Sequence, residues 1–333
     1  MTPAQPAFAI HDEESQRPAV SADIFTEQVR SFLWNGRRTA AGILSGAFDN
    51  GQMMEVETFT NEFWTAKQRD AHSLHEVSYR ACFKPQLPAF FIERLTEPGG
   101  VVYDPFMGRG TTVLEAALLG RTSAGNDANP LSRILVEPRL DPPAMEEVEG
   151  RLREIDFGKG AGMRGSGVGA GLPRPCNKSN APIKDGRDKS RPCKWPEAIG
   201  AVPVADLLVF YHPDTLREIV ALRAYLLRRE QKGKTDRTDR WIRMVATNRL
   251  TGHSPGFFSV YTMPPNQAVS AESQRKINRD RKQAPPYRNV AELILKKSRA
   301  LLKDCQATDV GGMAPSGCDG DINRARGGGG GGG

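Results

Sequence analysis

The sequence predicts an α/β protein: a Rossmann-like parallel sheet with helices on its faces, joined to a mainly helical second part. Three observations predict it. Residues 101–129, VVYDPFMGRGTTVLEAALLGRTSAGNDAN, run as an apolar strand, a glycine pair, a helix and a second strand. That order is a βαβ unit, in which the crossover helix makes the two strands parallel. The apolar spacing in 204–304 is helical. Between these regions, 158–197 is rich in Gly, Pro, Lys and Arg and has almost no apolar period, as expected of a disordered insertion.

Each element has a local reason. DIFTEQVRSFLWNG reads as a helix ending at Gly36, inside a polar lead-in with short helical pieces. In LPAFFIERLTEPGG, Pro88 suits a first helical turn, Phe91, Ile92 and Leu95 share a face, and Pro98-Gly99-Gly100 turn the chain. VVYDPF is a short buried strand, TTVLEAALLG a helix closed by Gly120, and TSAGNDAN a strand ending near Asp127. Further on, Asp214 or Thr215 can cap a helix carrying Leu216, Ile219, Leu222 and Leu226. TDRWIRMVATNRL is another helix, and RNVAELILKKSRALLKD a third, capped near Asn289. The divisions are an N-terminal extension (1–70), a cofactor-binding α/β region (71–156), a disordered basic insertion (157–203), a helical region (204–304) and a disordered glycine-rich tail (305–333).

Composition narrows the class. A net charge of +7 and pI near 9.2 fit a polyanionic partner such as nucleic acid. Five cysteines form no CxxC pair and have no His at ligand spacing, so no metal site is expected. An odd cysteine count and no basic leader point to a cytoplasmic protein, and no run is long enough for a membrane span.

The glycine pair carries the chemistry. Gly108 and Gly110 stand between a strand and a helix, where the backbone can turn tightly and a ligand can approach the main chain. Asp127, 17 residues after Gly110, ends the next strand, where an acid can hold ribose hydroxyls. A phosphate-binding loop would need a Lys after Gly110, and none is there. A nicotinamide site would show a third glycine, and Thr111-Thr112-Val113 follows instead. Asp104, just before the loop, repels a pyrophosphate but suits the sulfonium and ammonium groups of S-adenosylmethionine. A nicotinamide site and a ligand-free turn remain the alternatives.

DPFMGRGTT, residues 104–112, resembles the cofactor motif of the amino-methylating DNA methyltransferases, which act on adenine N6 or cytosine N4. HEVSYRACFKPQLPAFFIERL resembles their companion motif, in which Lys84-Pro85 begins a helix beside the cofactor. GRTSAGNDANPLS resembles the segment carrying the ribose-binding acid. The likeness is dense over 72–140 and looser over 204–304, which resembles the modification-methylase subgroup. It implies a methyltransferase fold and S-adenosylmethionine as cofactor. Asp104, Pro105, Phe106, Gly108, Gly110 and Thr111 would lie around its methionine side, Asp127 at the ribose and Asn129 near the adenine. DNA is the implied partner.

The same family uses [DNS]-P-P-[YFW] on the acceptor base. Ala284-Pro285-Pro286-Tyr287 lacks the polar residue, and Met263-Pro264-Pro265-Asn266 lacks both ends, so both read as proline-rich turns. The catalytic residues are thus unassigned, and the expectation is a chain without its catalytic strand. A methyltransferase for RNA or protein and a non-catalytic cofactor- or DNA-binding remnant are the other readings. Among lesser features, His72 and His75 read as polar surface residues and Cys82 as a small buried one. His253 sits in a Gly/Ser/Pro loop. The cations at 275, 276, 279, 281 and 282 could track phosphates or form a solvated helical face.

Overall fold

The structure, a computed structural model, describes residues 22–47, 53–63, 71–79, 82–157, 198–199, 202–262 and 269–305. The proposed insertion, apart from 157, 198–199 and 202–203, and the tail beyond Cys305 lie outside them.

Helix α1 (Ala22–Arg30) ends well before Gly36. Strands β1 (Leu33–Trp34) and β2 (Arg37–Arg38) pair antiparallel across Asn35-Gly36, both with positive φ. The expected continuous helix fails here because an Asn-Gly pair at left-handed φ is a hairpin turn. The lead-in then forms a long antiparallel hairpin, β3 (Ala40–Ala47) with β4 (Met53–Thr60), in register from Ala40↔Thr60 to Ala47↔Met53. Short helical pieces were expected there. Ile43, Leu44 and Met53 of this ribbon are exposed. Arg30 ties it to α1 through Glu57 at 2.8 Å.

Helix α2 (Gln86–Leu95) has Pro88 in its first turn, where the missing N–H costs no helical bond. Phe90 packs within 5.5 Å of Phe32, Phe63 and Phe91, and Arg94 lies 3.8 Å over its ring. This aromatic knot holds the lead-in to the βαβ unit's flank.

The βαβ unit follows: β5 (Val101–Asp104), α3 (Thr111–Leu118) and β6 (Thr122–Gly125), with the strands parallel from Val101↔Thr122 to Asp104↔Gly125. Val113 and Ala116 of α3 are buried. On the other face Val101 and Tyr103 are 69% and 60% exposed. Among the described residues this is the sole parallel pair. The remaining pairs of strands are antiparallel, the last being β7 (Ala198–Ile199) with β8 (Val202–Pro203). The architecture is therefore mixed α/β with small sheets, and among the described residues the parallel sheet expected from the sequence is two strands across.

The rest is helical. Asn129 caps α4 (Pro130–Leu140) by accepting from Leu131 N–H at 3.0 Å. Then come α5 (Met145–Glu154), α6 (Val204–Leu207), α7 (Pro213–Gln231), α8 (Arg237–Arg249), α9 (Ala271–Asp280) and α10 (Val290–Leu301). His212, not Asp214 or Thr215, caps α7, its Nδ1 accepting from Asp214 N–H at 3.2 Å with Pro213 in the first turn. Thr215 instead exchanges hydrogen bonds with the backbone of Arg288. Asn289 caps α10 as expected.

Helix α8 packs against α4, α5 and α10. Trp241, Ile242 and Met244 are fully buried there, and Trp241 Nε1 donates to Ser298 Oγ at 2.9 Å. Arg151 and Arg229 converge on Asp236 and Asp239 at the junction of α5, α7 and α8. Burial works against the Asp236 carboxylate, but the hydrogen bond from Arg151 and the two guanidinium charges hold it down to about 2.

Candidate cofactor site

The sequence-derived residues meet at the carboxyl ends of β5 and β6, the usual ligand position on a parallel sheet. Asp104 closes β5 and its Oδ1 accepts from Phe106 N–H at 3.0 Å, which turns the chain out of the strand. Pro105 and Phe106 project from the turn, with Phe106 86% exposed. Met107 N–H donates to Asn126 O at 2.9 Å, stitching the loop to the end of β6.

Both loop glycines are in the left-handed region, Gly108 at φ 51° and Gly110 at φ 76°. Gly110 has a second constraint, because a Cβ there would stand 2.4 Å from Val136 Cγ2 of α4. Only glycine lets α3 start so close to α4.

Asp127 spans the two halves of the loop. Its Oδ2 accepts from Gly108 N–H and its Oδ1 from Asn129 N–H, both at 2.8 Å. The hydrogen bonds from Asn129 and Gly108 lower its pKa below the ordinary carboxylate value. Each oxygen keeps a second lone pair, so the carboxylate can still accept from a ligand hydroxyl.

Arg109 lies between the glycines yet is only 4% exposed. Its Nη1 donates to His75 O at 3.2 Å and Val77 O at 3.0 Å, its Nη2 to Phe83 O at 3.4 Å, and its Nε to Thr111 Oγ1 at 3.1 Å. Thr111 is therefore buried and supports Arg109. Behind it, Arg139 of α4 donates to the carbonyls of Leu135, Leu74 and Arg109. Burial, and then the charge of Arg109, push Arg139 down to about 9. Lys84 and Pro85 follow Phe83 directly, so this network places the start of α2 beside the loop, with Pro85 buried.

Two expectations are corrected nearby. His75 is not a surface residue; it is buried, and its Nε2 meets Glu115 Oε2 of α3 at 2.7 Å. Burial lowers its pKa, which Glu115 only partly offsets. Cys82 is exposed, not buried. Tyr287, in the Ala-Pro-Pro-Tyr stretch, donates to Glu218 Oε1 at 2.7 Å, while Glu218 Oε2 accepts from Val290 N–H. That stretch is irregular backbone, tied through Glu218 to α7 and the start of α10. Met263-Pro264-Pro265-Asn266 lies outside the described residues. His253 is exposed beside Phe257. Among the described residues no group of His, Cys, Asp and Glu could hold a metal, and no helix is long and apolar enough to cross a membrane.

Residues 27–132, which hold this loop and its flanks, match a family model described as DNA methylase. Three curated relatives are similar over part of the chain. The type II methyltransferase M.MjaII of Methanocaldococcus jannaschii is 29% identical over 89 residues, 27% of this chain and 16% of the relative. M.BsoBI of Geobacillus stearothermophilus is 33% identical over 105 residues, 30% of this chain and 21% of the relative. M.MvaI of Kocuria varians is 34% identical over 82 residues, 24% of this chain and 18% of the relative. The match thus spans about a fifth of each relative or less. No solved structure matches. The resemblance to DNA amino-methyltransferases read from residues 72–140 is shared by these comparisons.

Proposed function

We propose that the chain binds S-adenosylmethionine at the ends of β5 and β6, as the cofactor portion of a DNA methyltransferase acting on the exocyclic amine of adenine or cytosine. One observation carries this reading. The single cation of the glycine loop, Arg109, is turned inward and donates to three backbone carbonyls and Thr111 Oγ1, while the carboxylates of Asp104 and Asp127 remain at the mouth. A loop built this way repels a pyrophosphate and favours a ligand with cationic and hydroxyl groups.

In this reading Asp104, Pro105, Phe106, Gly108 and Gly110 border the methionine side. Asp127 accepts from the ribose hydroxyls through its remaining lone pairs. Asn129, its Oδ1 committed to capping α4, keeps its amide hydrogens for the adenine. Lys84 and Pro85 set the flank, and Thr111 acts through Arg109. S-adenosylmethionine would supply a methyl activated by a sulfonium. The chain's own part is to orient that group and to exclude a phosphate-bearing cofactor.

DNA would approach the helical region 204–304, where Lys276, Arg279 and Lys282 of α9 and its C-terminal turn are exposed. Calorimetry with S-adenosylmethionine against a nicotinamide dinucleotide tests the cofactor, and tighter binding of the dinucleotide would reject the reading. Labelled-methyl transfer to DNA, RNA and protein pools tests the acceptor. DNA should take the label, and preferential labelling of RNA or protein would replace it. A second reading, cofactor or DNA binding without turnover, is favoured by Tyr287, whose hydroxyl is held by Glu218 and whose ring faces His212. Cofactor binding with no transfer to any pool would select it.

A further inference from the structure

Residues 76–79 and 82–84 belong to no helix or strand, yet they lead into the flank of the candidate pocket. Their backbone carbonyls need donors, because buried unpaired carbonyls are costly. Two arginines supply them. Arg109 reaches His75, Val77 and Phe83, and Arg139 reaches Leu74 and the carbonyl of Arg109 itself. Both are buried, and neither guanidinium meets a carboxylate at ion-pair distance among the described residues.

Burying two uncompensated guanidiniums side by side is unfavourable. What it gains is geometric. A planar fork holds its acceptors from three nitrogens at fixed spacing, whereas an ammonium on a flexible stem offers its donors from one point. The carbonyls belong to the segment ending at Lys84-Pro85, while the donor sits between Gly108 and Gly110.

We propose that Arg109, backed by Arg139, is the positioning residue of the site: it clips residues 74–77 and Phe83 onto the glycine loop and so sets the width of the cofactor pocket without touching the cofactor. This rests on the S-adenosylmethionine reading, and it makes the residue between the glycines a determinant of that site.

Three variants of the full chain test it. Arg109→Lys keeps the charge and removes the fork, Arg139→Lys does the same behind it, and Leu222→Ala destabilises the helical core away from the loop. S-adenosylmethionine affinity is read by calorimetry, stability by urea unfolding, and the clip by hydrogen exchange at the Glu76 and Val77 amides. Arg109→Lys should weaken binding by about tenfold or more and speed exchange at Glu76 and Val77. Arg139→Lys should do both to a smaller extent. Leu222→Ala should lower stability and leave both unchanged. Unaltered affinity in Arg109→Lys overturns the proposal. So does an equal loss in Leu222→Ala, because the effect would then be stability alone. If the parent chain binds no S-adenosylmethionine, the functional reading falls, and exchange at Glu76 and Val77 still decides whether Arg109 holds the segment.

Discussion

The helical layer and the βαβ unit bury their apolar residues differently. Around α8, Trp241, Ile242, Met244 and Ile294 have no exposed surface, and charged groups at the layer's edge are paired. In the βαβ unit one sheet face is packed by α3, and the other leaves Val101 and Tyr103 largely in water. Parallel sheets normally have both faces covered. The difference separates two tasks: the helices hold the fold, and the sheet's end holds a loop shaped by backbone hydrogen bonds. Damage to the helices should therefore read out as stability, and damage to the loop as binding.

The largest effect tests the helical side. Trp241→Ala should cost about 3–5 kcal/mol, measured by urea unfolding, because it opens a cavity and strands Ser298. Gly110→Ala should cost about 2 kcal/mol or more, from its left-handed φ and the overlap with Val136. It should also abolish cofactor binding, and retained affinity would break the division between the regions. Asp127→Ala should weaken S-adenosylmethionine binding by about 1.5–3 kcal/mol in calorimetry, with little change in the unfolding midpoint. Equal loss of stability would return Asp127 to a purely structural role.

The remaining effects are smaller. Asp236 is held to about 2, below its unfolded value, so its ion pairs stabilise the fold above the unfolded carboxylate range. That contribution is lost as pH falls from about 4 through about 2. With Asp236 42% exposed, the gain is under about 1 kcal/mol. Asp236→Asn should flatten this part of an acid titration. Tyr287→Phe should cost about 0.5–1 kcal/mol and leave methyl transfer, where present, unchanged. Specific loss of transfer would reopen the Ala-Pro-Pro-Tyr stretch as part of the site.

The βαβ unit was legible in the sequence because its signals are local: an apolar run, two glycines, a helical period and a closing glycine. Helix α10 was legible for the same reason, its Asn289 cap standing next to the first helical residue. The β3–β4 hairpin was missed although part of its signal is local: Asp49-Asn50-Gly51 is a turn sequence and Glu55–Thr60 alternates, but AAGILSGA on the other side has small residues in place of a strand's alternation. His75 looked like a surface residue because its burial depends on Glu115, 40 positions away. Arg109 was read only as the variable position of a motif. Its partners are carbonyls 26 to 34 residues upstream, and a carbonyl has no sequence signature.

The last described residues close back on the first part of the site. The carboxylate of Asp304 accepts from Ser73 N–H at 2.7 Å, and Ser73 Oγ donates to Leu301 O, also at 2.7 Å. These partners are 231 and 228 residues apart. Contacts of such range are slow to form. During synthesis from the N-terminus, the glycine loop emerges well before the anchor of the segment that flanks it. A nascent chain halted before Leu301 would carry the whole cofactor motif without that anchor.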